Sequence, residues 1–148
     1  MMPTNQPDFA ADEKRILAII DSMYRAISWN DGVQPDFDRF RAAVRNDAVV
    51  IPAARPAGPT DIESFVDRMR RLHAEGVIKT FEEAGIKNTV KVFGNIAVAM
   101  GSFKALVDGS ANRGVNAWLF IREGGDWQIT AMAWDNETAA TPLTGELQ

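Results

Sequence analysis

The apolar spacing of this chain switches for good near Gly76, and that switch limits the folds open to it. Before Gly76 apolar residues recur mainly at three- and four-residue steps; after it they alternate, in four long runs broken by glycine-rich turns. Ile16, Leu17, Ile20, Met23, Tyr24 and Ile27 lay one stripe along a helix ending near Trp29, which Asn30-Asp31-Gly32 stops. Pro35 and Asp36 open a short second helix with Phe37, Phe40 and Val44 facing inward. The β-branched stretch AVVIPA, cut by Pro52, reads as a short strand whose ladder stops there. Thr60, with Glu63 three positions on, has the spacing of a capping box. It starts a third helix whose inner face carries Ile62, Phe65, Val66, Met69, Leu72 and His73.

The runs VIKTFEEAGIKNTVKVF, NIAVAMGSFKALV, GVNAWLFIRE and DWQITAMAW meet at Gly94-Asn95, Asp108-Gly109-Ser110 and Gly124-Gly125. These are hairpin or loop signals, so an antiparallel meander follows the helices and the class is α+β. Such a meander is too apolar to lie flat with one face in water. Gly85, Gly94 and Gly101 offer it places to bend, and a bent sheet over three helices is a cone with an open end. Residues 1–11 read as a flexible arm, 12–137 as a single domain and 138–148 as a tail, without internal repeats.

Composition removes several functions. At 148 residues the chain buries a core without staples, and the absence of cysteine excludes disulfides and thiolate chemistry. A net charge of -4 argues against a nucleic-acid partner, and Arg68, Arg70 and Arg71 read as a solvated helix face. No apolar run approaches the roughly 18 residues of a membrane span, and the opening residues lack a signal pattern. A cytoplasmic protein with no membrane partner is expected. His73 is the only histidine, which excludes a multi-histidine metal site; it reads as a packed residue, with no metal and no cofactor expected.

A two-residue turn at Gly124-Gly125 pairs Glu123 with Asp126 and, further back, Arg113 with Asn136. Strict alternation then groups Val115, Ala117 and Leu119 with Thr130, Met132 and Trp134. Asn116, Trp118 and Phe120 share the other face with Ile129, Ala131 and Ala133. A one-residue bulge would exchange the faces on one strand.

The order of elements, with FGNIAVAMGSF, RGVN and DWQITAMAWDNE, resembles the nuclear transport factor 2-like superfamily, also called SnoaL-like or ketosteroid isomerase-like. The resemblance covers about residues 12–137 and is most specific to a bacterial subfamily of unassigned activity. It implies a cystatin-like cone of three N-terminal helices packed on a strongly curved antiparallel sheet. By looser likeness to ketosteroid isomerases, Thr130, Met132 and Trp134 face the cavity, whereas Trp118 and Ile129 face outward as part of a homodimer surface. The same likeness removes the isomerase chemistry. The positions of its carboxylate base hold Ile51 and Pro52, the place of its acidic hydrogen-bond donor lies near Ala117, and only the helix-one tyrosine remains, as Tyr24.

The remaining candidates for acid/base work are Asp135 and Glu137 with Glu82 and Glu83, of which alternation admits at most one of the last two. Arg113 would tune them, unless it forms a strand-end ion pair with Asp135 or Glu137. The expected assignment is Tyr24 as hydrogen-bond donor, Asp135 or Glu83 as base and Arg113 as electrostatic partner. The expected ligand contacts are Tyr24, Phe65, Met69, Phe81, Thr130, Met132 and Trp134, with Asn116, Asp135 or Arg113 near the rim. This suits a small, largely apolar or aromatic metabolite, with cofactor-free isomerase, dehydratase, cyclase or hydrolase chemistry as an extension. The alternative is a non-catalytic dimerisation or partner-binding module whose cavity is filled by its own side chains.

Overall fold

The computed structural model describes residues 8–53 and 56–148; the expected arm lies mostly outside them. Helix α1 (Ala10–Ile27) buries Ile16, Ile20, Met23, Tyr24 and Ile27 of the apolar stripe read from the sequence, whereas Leu17, at the edge of that stripe, is exposed. Helix α2 (Phe37–Ala42) is capped by Asp36, whose side chain accepts from the Arg39 N–H. Val44, expected on that helix, instead opens strand β1 (Val44–Pro52), because α2 closes at Ala42 and the β-branched run starts at once. A two-residue strand β2 (Thr60–Asp61) leads into helix α3 (Ile62–Ala74). Asp61 caps α3 by accepting from the Ser64 N–H, whereas Thr60 pairs with Val50. The cap thus lies one residue beyond the expected Thr60, and Glu63 turns away to an ion pair with Arg41.

The meander comprises β3 (Phe81–Phe93), β4 (Ile96–Val107), β5 (Ser110–Glu123) and β6 (Asp126–Asn136). β3 starts at Phe81, later than the apolar run suggests, because the Asp108 carboxylate accepts from the Lys79 and Thr80 N–H groups and holds them in the preceding loop. Gly94-Asn95, Asp108-Gly109 and Gly124-Gly125 make the turns, with positive φ at Gly94, Asp108, Gly109, Gly124 and Gly125. β1 then joins the outer edge of β6 in parallel, giving the order β2-β1-β6-β5-β4-β3 and a mixed sheet. Pro52 ends β1 opposite Trp134, and the next N–H, of Ala53, donates to the Trp134 carbonyl at 2.9 Å.

Two interruptions curl this sheet. On β3, Gly85 pairs with Phe103 but Lys87 pairs with Ser102, which leaves Ile86 as an extra residue. On β6, Ile129 pairs with Phe120 but Ala131 pairs with Leu119, which leaves Thr130 extra. Each bulge bends its strand and reverses which residues face inward beyond it. Gly85 sits at the first bulge, as a bending site should, but Gly94 is a turn residue. Gly101 serves a close approach: a Cβ there would fall 2.0 Å from Asn88 Oδ1.

The narrow end of the cone is solid, with Ile16, Phe120 and Ile129 fully buried. Asp12 ties it shut by accepting from Arg122 at 2.8 Å and from Trp127 Nε1 at 3.2 Å. Residues after β6 fold back, with Leu143 buried and a 3-10 turn at Gly145–Leu147 near β3. No helix among the described residues is long and apolar enough to cross a membrane.

Gly114 tests the tightness of the curl, since a Cβ there would fall 2.4 Å from the Asp135 carbonyl oxygen and 2.7 Å from Phe103 Cζ. Gly114→Ala is expected to lower the unfolding free energy by roughly 1–3 kcal/mol in urea titrations. Gly32→Ala, where the nearest atom is 3.8 Å away, should change it by less than about 0.5 kcal/mol.

Candidate functional site

The wide end of the cone encloses a cavity of about 380 Å³. Helix α1 supplies Ile20, Met23, Tyr24 and Ile27 to its wall, and α3 supplies Phe65, Arg68, Met69 and Leu72. The sheet supplies Phe81 and Glu83 from β3, Phe103 from β4, Asn112, Asn116 and Trp118 from β5, and Met132, Trp134 and Asn136 from β6. Six of the seven expected contacts, Tyr24, Phe65, Met69, Phe81, Met132 and Trp134, therefore share one surface. Thr130 does not, because it is the bulged residue.

That bulge also corrects the facing of the hairpin. Up to Ile129 the pairing follows the two-residue turn; beyond Thr130 it slips by one, so Met132 lies opposite Trp118 and Trp134 opposite Asn116. Trp118 and Ile129, expected outside, are both buried inside. The face that looks outward carries Leu119, Ala117, Ala131 and Ala133 instead. Nothing in the residue types around Thr130 announces the extra position.

Tyr24, Asn116 and Glu83 form the interior polar group of the cavity. The Asn116 side-chain N–H donates to the Tyr24 hydroxyl at 2.9 Å, and both residues are buried. Glu83 follows Glu82 on β3, but only Glu83 enters; Glu82 faces away and accepts from the Asn30 amide at 2.9 Å. Ser28 fixes the depth of Glu83 relative to α1, since its hydroxyl accepts from the Glu83 N–H at 3.0 Å and donates to the Tyr24 carbonyl at 2.7 Å. The ring of Tyr24 lies over Gly85, where a Cβ would come within 3.2 Å of Cε2. Trp118 meets the same ring edge-on, with centroids 6.2 Å apart.

Burial sets the electrostatics of this group. Although part of the Glu83 side chain borders the open cavity, its carboxyl lies deep among apolar walls, and burial pushes it up to about 7, with Asn116 opposing the rise. Burial also raises the Tyr24 hydroxyl, against a lowering by Asn116 and with a further rise from Glu83. Near neutral pH the cavity therefore holds a neutral phenol and a carboxyl poised between its two forms, which suits proton transfer.

Asp135 and Arg113 stand outside the cavity wall. Arg113 forms a two-pronged ion pair with Glu137 at 2.8 and 2.9 Å, and the Glu137 carboxylate, which also accepts from the Leu143 N–H, is held below its ordinary range first by that bond and then by Arg113. The Asp135 carboxylate accepts from the Asn136 N–H at 2.8 Å. His73 packs edge-on against Trp29, 5.2 Å between centroids, and does not line the cavity. The described residues contain no group of three or more His, Cys, Asp or Glu side chains that would hold a metal.

Arg68 was legible only as part of a charged helix face, yet it lines the cavity. The signal for it was present: Phe65, Arg68, Met69 and Leu72 follow i, i+3, i+4, i+7 spacing and so share a face. Arg70, by contrast, turns outward toward Asp38 and Asp67.

Glu83 makes stability depend on pH in a stated direction. Its native value lies above the ordinary 4.5, so the neutral form stabilises the fold fully below that value, and the contribution is lost as pH rises through 7. Wild type is expected to lose stability relative to Glu83→Gln between about pH 5 and about pH 8 in urea unfolding. A constant difference across that range would show a carboxyl that titrates as if exposed.

No protein-family model and no curated protein matches the chain. Solved structures do. A Novosphingobium aromaticivorans protein provisionally assigned as an aromatic ring hydroxylase superposes with a TM-score of 0.71 at 17% identity, covering 90% of this chain and 93% of that one. A provisionally assigned scytalone dehydratase from the same organism gives 0.69 at 10% identity, over 86% and 85%. A nuclear transport factor 2-like protein of unknown function from Shewanella oneidensis gives 0.67 at 13% identity, over 83% and 98%. Such identities speak for the backbone path alone. With its three helices laid on a curled six-stranded sheet, the chain has the cystatin-like α+β cone of nuclear transport factor 2-like proteins.

Proposed function

We propose that the cavity binds a small, largely apolar metabolite carrying a hydroxyl or carbonyl group, and that Glu83 exchanges a proton with it without a cofactor. The supporting observation is the Glu83 carboxyl beside the Tyr24–Asn116 pair in an otherwise apolar enclosure. A cavity near 380 Å³ falls in the roughly 300–1,000 Å³ range of small-molecule sites, which favours a ligand over a cone filled by its own side chains. In this reading Tyr24 donates to the ligand oxygen while Asn116 holds the hydroxyl in place. Of the two expected bases, Glu83 is the one on the cavity wall and takes that role, and Arg113, engaged with Glu137, has a structural task. The provisional dehydratase and hydroxylase assignments of two structural neighbours are compatible with chemistry on a ring-bearing substrate.

Titration with 2-naphthol followed by tryptophan fluorescence is expected to saturate at one molecule per chain. Trp134→Ala should weaken binding by about tenfold, the equivalent of one good apolar contact. An absence of saturable binding by 2-naphthol and by a panel of ring alcohols and ketones would remove the ligand reading.

We also propose a homodimer through the outer sheet face. Two rows cross it, Val49–Ala131–Leu119–Val98 and Ile51–Ala133–Ala117–Met100, in which exposed ridges flank a hollow floored by alanines. A two-fold axis would set Leu119 and Met100 of each copy into the alanine hollow of the other. Sedimentation should give a dimer for wild type and a monomer for the Met100→Lys, Leu119→Lys double variant; a monomeric wild type at micromolar concentration overturns the proposal.

A further inference from the structure

The cavity is polar at two places, and the second differs in character from the first. Tyr24 and Asn116 are buried, whereas Arg68, Asn112 and Asn136 are exposed and also line the wall, so these three mark the mouth. Chain direction supports their grouping. Phe65 packs on Trp134 with ring centroids 5.5 Å apart. One turn on from Phe65 is Arg68, and two residues on from Trp134, on the same strand face, is Asn136. Both steps lead toward the same end of the cone, because the later α3 residue His73 packs on Trp29, which in turn packs on Phe81 at the start of β3. Phe81 lies opposite Val107, next to the turn that begins β5 and so near Asn112.

Arg68 has no carboxylate partner among the described residues, unlike Arg70, Arg41, Arg45, Arg113 and Arg122; Arg39 and Arg71 also lack one, but of these three only Arg68 lines the cavity. An arginine fork and two side-chain amides at the mouth of an apolar cavity form a receiving set for a planar anion. Resting on the ligand-binding reading above, we propose that the substrate class is hydroxylated aromatic or alicyclic carboxylic acids. The carboxylate sits at the mouth on Arg68, with Asn112 and Asn136 beside it. The ring body lies between Phe65, Met69, Trp118 and Trp134, and the hydroxyl reaches Tyr24 and Glu83. The arrangement fixes the direction of entry: a molecule with its charge at one end and its hydroxyl at the other fits one way round. It also separates the anion from Glu83, which burial keeps largely protonated below about 7.

Calorimetric titration with 6-hydroxy-2-naphthoate and its neutral counterpart 2-naphthol tests the proposal. Wild type is expected to bind the acid about tenfold tighter than the alcohol, the ratio expected for a charge-assisted pair at a partly exposed site. Arg68→Gln should remove that advantage, read as the ratio of acid to alcohol affinity within the same variant, and Arg68→Lys should restore part of it. Equal affinity of wild type for the two probes, or an acid affinity unchanged in Arg68→Gln, overturns the anion assignment while leaving the ligand-binding reading intact. Failure of both probes to bind wild type rejects the ligand-binding reading and this assignment with it.

Discussion

The single extra residue in β6, Thr130, decides what the cone contains. A strand paired without interruption keeps one set of side chains inward along its whole length, and here that set would have been Ile129, Ala131 and Ala133. The slip places Ile129 in the solid end and Met132 and Trp134 in the open end, on one face. The matching slip at Ile86 does the same for β3, joining Phe81 and Glu83 to Asn88 and Val90. Curvature and contents thus share one cause: each bulge bends the sheet around the helices and selects the large residues that the bend encloses.

Much of this was visible in residue order. The helical stripe of α1, the cap-rich start of α3, the three glycine turns and the helix-to-strand switch all follow from local preferences, which act over a few residues and need no partner. What was not visible depended on pairing. Whether β1 lies parallel to β6, where Thr130 is squeezed out, and hence which way Trp118 points, are settled between strands distant in the chain. The candidate site divides along the same line. Tyr24, Phe65 and Met69 lie on helical faces that periodicity defines, whereas the roles of Glu83, Asn116 and Thr130 depended on register. Arg68 is hidden for another reason: its charge suggests solvent, although its spacing matches the apolar face beside it.

The open end carries costs that the solid end does not. Glu83 sits where burial works against its charge, and Trp118 Nε1 and Asn88 Oδ1 are buried without hydrogen-bond partners among the described residues. Each unmet donor or acceptor forgoes about 1–3 kcal/mol, and an empty volume forgoes contacts between its walls. Two of these costs, at Glu83 and Trp118, fall on the cavity wall, while the narrow end is packed and tied by Asp12.

The parallel pairing of β1 with β6 joins a strand made early to the strand made last. During synthesis, the hairpins from β3 to β5 can close as soon as each emerges, since they need only their neighbours. β1 and the helix behind it lack the β6 side of their packing, where Val50 pairs with Met132 and Phe65 meets Trp134, until the ribosome has delivered Trp134. The enclosure is therefore the last part of the molecule to exist, and a chain stalled before β6 would leave an apolar edge for chaperones to shield.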